Sequence, residues 1–154
     1  MRIVAVAVTA AALAACNAGE ARHKPVPPGK AAELLHERIW LDHAPRTPNE
    51  KFELALFDEG GSGIRQRRTV WKGDFELFFY EVDGNDLEFF LPASGTAMHT
   101  SFRIVPEAGP DHADHKLVID HPPTGPREYW GWRMEGHDRD AWLAAQFGGD
   151  AAKK

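Results

Sequence analysis

Residues 52–105 read FELALFDEGGSGIRQRRTVWKGDFELFFYEVDGNDLEFFLPASGTAMHTSFRIV, and this stretch decides the fold. Runs rich in Phe, Ile, Val, Thr, Tyr and Trp are cut at short intervals by DEGGSG, KGD, DGND and ASGT. That spacing is the signature of antiparallel hairpins in series. Phe52, Leu54 and Leu56 alternate with Glu53 and Ala55, and Met98, Thr100, Phe102 and Ile104 alternate with His99, Ser101 and Arg103. Each run therefore presents one wet face and one dry face.

The turns set the register, and a slip of one residue would turn every side chain to the other face. With Gly84-Asn85 as a two-residue loop, Val82 faces Leu87, Tyr80 faces Phe89 and Phe78 faces Leu91. These form the expected inward set. With Lys72-Gly73 as the next turn, Arg65 and Arg67 come opposite Tyr80 and Phe78. A slip of one residue instead brings in Gln66 and Arg68, near Glu76. In either register at least one arginine turns inward. DEGGSG lacks the lysine and the following helix of a phosphate loop, so it reads as a hairpin.

Working outward, residues 30–37 carry Ala31, Leu34 and Leu35 in one stripe, which predicts a short helical turn. Residues 38–42 read as a first strand, 116–120 as a late strand and 128–134 as the last, with Trp130 and Trp132 on one face. Asp138 is placed to cap a terminal helix running through Phe147, ended by Gly148-Gly149. The predicted fold class is all-β: about eight antiparallel strands in an up-and-down barrel, with a short N-terminal helical turn and one C-terminal helix. An open twisted sheet packed by the helix is the alternative. The strand order, a Trp in the first strand and the late helix together resemble the lipocalin-like (calycin) barrels. The resemblance departs at the usual Gly-x-Trp, which here is Arg38-Ile39-Trp40.

The chain has 154 residues and one cysteine. Residues 1–15 have a single early basic residue, Arg2, and an Ala/Val-rich apolar run too short to span a bilayer comfortably. The run ends in Leu13-Ala14-Ala15-Cys16, which resembles the lipobox of bacterial lipoproteins. That resemblance implies cleavage before Cys16, acylation of Cys16 and a lipid anchor in the cell envelope. Asn17 in place of Asp further implies delivery to the outer membrane, facing the periplasm. Residues 16–29 then form the lipidated Cys and a Pro-rich spacer, 30–149 the barrel domain and 150–154 a disordered tail. Removing residues 1–15 takes away Arg2 and moves the net charge from −5 to −6. So acidic a chain does not suit nucleic acid.

An inward arginine needs a carboxylate or an anionic ligand. The first expectation is that Arg65 and Arg67, or Arg68, hold the carboxylate of a small amphipathic, fatty-acid-like ligand in the lumen, with Trp71, Phe78 and Tyr80 along its tail. The alternatives are an internal ion pair to Glu76 or Glu53, or an arginine reaching solvent. Eight strands leave a lumen that side chains can also fill completely, which would make the protein a structural or protein-interaction module. A second alternative is weak metal binding through Asp111, His112, His115 and His121, set against a solvated His/Asp loop. Ser62, Ser94 and Ser101 lack a nucleophile-elbow context, so no enzyme activity and no cofactor are expected.

Overall fold

The computed structural model describes residues 24–133. The expected signal segment, Cys16 and the expected terminal helix and tail lie outside the described residues. The elements are helix α1 (Pro28–His36) and strands β1 (Arg38–Leu41), β2 (Phe52–Phe57), β3 (Ser62–Arg68), β4 (Gly73–Asp83), β5 (Asp86–Leu91), β6 (Thr96–Pro106), β7 (His115–Ile119) and β8 (Glu128–Arg133). All eight strands pair antiparallel with their neighbours in chain order, and β1 closes on β8 through Trp40 opposite Gly131 and Leu41 opposite Trp130. The sheet is a closed up-and-down barrel, and the open-sheet alternative falls.

Helix α1 starts at Pro28, whose fixed φ suits the first helical position. Ala31, Leu34 and Leu35 are its buried face. The indole Nε1 of Trp40, itself fully buried, donates to the Leu35 carbonyl at 2.9 Å. That bond satisfies one of the orphan acceptors of the last helical turn and fixes α1 across one end of the barrel. Gly131 makes the fit possible, because a Cβ there would lie 2.6 Å from the Trp40 ring.

The interior is aromatic and interlocked. Phe57 meets Phe78 at 5.3 Å and Tyr80 at 5.2 Å, and Phe78 meets Phe89 at 5.5 Å, all edge to face. This is the preferred arrangement for rings whose faces and edges carry opposite partial charge.

The β4–β5 hairpin keeps its expected register, with Val82 opposite Leu87 and Tyr80 opposite Phe89, and Gly84 in the left-handed region at φ 63°. The β3–β4 connection differs. Gly73 belongs to β4 and pairs with Arg68, so the loop is the four residues 69–72 rather than Lys72-Gly73. Thr69 N–H donates to Lys72 O at 2.8 Å, and the Arg68 guanidinium donates to the carbonyls of Thr69 and Val70. The longer loop is thus satisfied from within. It shifts the register by an even number, so Arg65 still faces inward but stands opposite Glu76 instead of Tyr80.

Candidate functional site

The barrel end away from α1 is built from β2, β3 and β4. Alternation along FELALF turns Glu53, Ala55 and Phe57 inward, and cross-strand pairing sets Arg67 beside Glu53 and Arg65 beside Ala55 and Glu76. Arg65 Nη2 donates to Glu76 Oε2 at 2.9 Å, and its Nη1 reaches Glu53 Oε2 at 3.4 Å. Arg67 Nε donates to Glu53 Oε1 at 2.8 Å, and Thr124 Oγ1 donates to Glu76 Oε2 at 3.3 Å. The Arg65 side chain is 17% exposed and that of Glu53 is 12% exposed, so their charges are matched where water is scarce.

The β7–β8 loop lies on this network. Gly125 sits at φ 81°, and a Cβ there would come within 2.8 Å of Arg65 Nη1 and Glu53 Oε2. Below the loop, Arg65, Ala55, Phe78, Phe89, Leu91 and Tyr129 bound a cavity of about 30 Å³. That is space for about one water molecule, against ~300 Å³ or more for a ligand site. Burial pushes the Tyr129 hydroxyl well above its usual range, and the nearby Glu53 charge adds to the shift. The phenol stays neutral.

Of the residues singled out for ligand contact, Arg65 and Phe78 share this cavity. Tyr80 packs in the same interior, 6.0 Å from the Phe78 ring, but outside this cavity; its hydroxyl donates to Asp58 O at 2.7 Å, and its pKa is driven up by burial and then by Asp58 and Glu59. Arg67 is 63% exposed, Arg68 braces the 69–72 loop, and Trp71 in that loop is 67% exposed. The structure therefore does not gather the six residues around one lumen.

The four candidate metal ligands are also dispersed. Asp111 and His112 sit exposed on a 3-10 turn with left-handed φ of 48° and 68°, and His121 is exposed with its N–H donated to Thr100 Oγ1. Among the described residues no group of three or more His, Cys, Asp or Glu gathers at metal-binding spacing.

His115 instead joins a cluster that the sequence reading missed. Arg38 is fully buried and donates Nε to Asp114 Oδ1 at 3.0 Å and Nη2 to Asp114 Oδ2 at 2.9 Å, a bidentate fork. The His115 Nδ1 lies 2.9 Å from Asp114 Oδ1 and 3.1 Å from Arg38 Nη2. Alternation back from Trp40 puts Arg38 on the inward face, which was a legible signal. Its partner, 76 residues away, was not.

Burial pushes the Asp114 carboxyl up, but the hydrogen bonds from Arg38 and His115 outweigh it and hold the group at about 2, below the ordinary 3.8. A carboxyl depressed in the folded state stabilises the fold above its unfolded pKa, and loses that stabilisation as pH falls through the folded value. Urea unfolding followed from pH 5 down to pH 2 is therefore expected to show a steeper loss of stability for the native chain than for Asp114→Asn. Parallel slopes would remove Asp114 from the acid response.

The geometry can thus neutralise buried charge at both ends of the barrel, and among the described residues the cavity beside Arg65 has space for about one water. Three comparisons, with protein-family models, with curated proteins and with solved structures, were made for the chain. None gives a match.

Proposed function

We propose that the protein is a lipid-tethered envelope protein whose lipocalin-like barrel serves as a protein-interaction module rather than as a ligand carrier or an enzyme. Leu13-Ala14-Ala15-Cys16 supports the tether, through acylated Cys16 in the outer membrane facing the periplasm. The observation that carries the interaction reading is the full interior, with about 30 Å³ left beside an Arg65 already held by Glu53 and Glu76. A barrel without room for a ligand has its outside to work with. Most of its large apolar side chains are buried inside, and those exposed on the outside are grouped on the β4–β5 hairpin and the 69–72 loop rather than forming the continuous apolar band of a transmembrane barrel.

One observation favours the second reading, a small amphipathic ligand: the cavity has Arg65 in its wall and apolar groups below. Seating an acyl chain would require the 120–127 loop to lift and one or both carboxylates to release Arg65. Intrinsic tryptophan fluorescence titrated with long-chain acids and with their methyl esters separates the two. The interaction reading expects no saturable response to either. A saturable response to the acids alone, absent in Arg65→Met, would establish the ligand reading in its place. Native mass spectrometry of the protein taken from its own envelope is expected to show no retained small molecule.

A further inference from the structure

The outer face of the β4–β5 hairpin is divided lengthwise into an aromatic half and an acidic half. Side chains at alternate positions of β4 point outward, and in order they are Phe75, Leu77, Phe79, Glu81 and Asp83. Phe75 is 73% exposed, Phe79 45% and Leu77 42%. Across the hairpin Phe79 faces Phe90, itself 44% exposed, and beyond them Glu81 faces Glu88 and Asp83 faces Asp86. The exposed apolar part amounts to on the order of 400 Å², within the range of the largest patch on a monomer, which is often functional.

Like charges directly opposite across two strands repel. Among the described residues the basic partner of this acidic group is His99, whose Nε2 lies 3.8 Å from Asp86 Oδ1. Asp58 and Glu59, in the β2–β3 turn at the same end of the barrel, add further negative charge. Among the described residues the face thus carries exposed rings and, beyond the Asp86–His99 pair, carboxylates without a cation in one row. Eight residue steps along β4, from Phe75 to Asp83, span about 27 Å, the length of a helix of about 18 residues.

We infer that this face docks a cationic amphipathic segment of another protein, one whose apolar stripe covers Phe75, Phe79 and Phe90 while its Lys or Arg side chains meet Glu81, Asp83, Asp86 and Glu88. The inference rests on the interaction reading above and names the partner's chemistry. A bilayer fits less well, because anionic headgroups repel the acidic half. A second copy fits less well too. The cation over its Trp130 ring, Lys116, is already engaged with Glu128 at 2.7 Å, and two acidic faces set against each other repel.

The test is titration of the full chain with a fluorescent helical peptide of about 18 residues, leucine on one face and lysine on the other, against the same peptide with glutamate for lysine. The expected result is saturable one-to-one binding of the lysine peptide alone, weakened by added salt. Phe75→Ser with Phe79→Ser, or Glu81→Gln with Glu88→Gln, is expected to weaken it by about tenfold or more, while the control Glu107→Gln leaves it unchanged. Equal binding of both peptides would overturn the cationic partner and leave the interaction reading standing. A dimer in light scattering that Phe75→Ser dissolves would assign the face to a second copy. Phe75-dependent flotation with phosphatidylglycerol vesicles would assign it to a membrane. A monomer that binds neither peptide nor vesicle would overturn this inference, while the interaction reading is decided separately by the acid and methyl-ester titration.

Discussion

Trp40→Ala is expected to lower the unfolding free energy by about 3–5 kcal/mol, the cost of emptying a fully buried large aromatic site. Trp40 touches α1 through its indole N–H, the barrel wall through Gly131, and the closure of β1 on β8 through its strand position. A domain of this size has about 5–15 kcal/mol in total, so the variant should be close to unfolding at moderate temperature. In urea the midpoint should fall by roughly 2 M for a slope near 2 kcal/mol/M. Trp40→Phe keeps most of the apolar volume but leaves Leu35 O without its donor, and about 1–2 kcal/mol is expected from that loss. A cost below about 1 kcal/mol for the alanine variant would mean that the helix is not held on the barrel by this contact.

Arg65→Met should cost about 2–4 kcal/mol, because it leaves Glu53 and Glu76 facing a largely enclosed space without their shared cation. The range lies below that of a fully buried pair, since Arg65 keeps some exposure and Arg67 still reaches Glu53. The triple change Arg65→Met, Glu53→Gln, Glu76→Gln should recover most of the loss, as uncharged groups need no counter-ion. Urea unfolding of the single and triple variants measures both. If Arg65→Met were neutral, Arg65 would not be bound into a stabilising network, and its guanidinium would be free to serve an anionic ligand. The same pair of variants therefore bears on fold and on function.

The inward faces of β4, β5 and β6 were legible because strand alternation and the Gly84-Asn85 loop are local signals. The β3–β4 register was not, since Thr69-Val70-Trp71-Lys72 contains no strong turn residue and its closure depends on Arg68 reaching the loop carbonyls. Alternation left two registers open, one turning Arg65 and Arg67 inward and the other Gln66 and Arg68, and the tertiary pairing selected the first. Which of two carboxylates Arg65 meets did not follow, because both stand on neighbouring strands whose stagger the loop decides. Trp71 was expected along a ligand tail with Phe78 and Tyr80, and its place in the 69–72 loop leaves it at the surface.

Two things were determined by the order of residues: that the chain makes β-strands with one dry face, and where most of them turn. Both depend on neighbours a few positions apart, within reach of local sterics and alternation. Whether the lumen is open or full, and which acid answers a buried arginine, was decided only when β1 met β8. That closure brings Arg38 to Asp114 across most of the domain and packs Phe57, Phe78 and Phe89 edge to face. Side chains far apart in the chain compete for one enclosed volume, and no short stretch carries the information about who fills it.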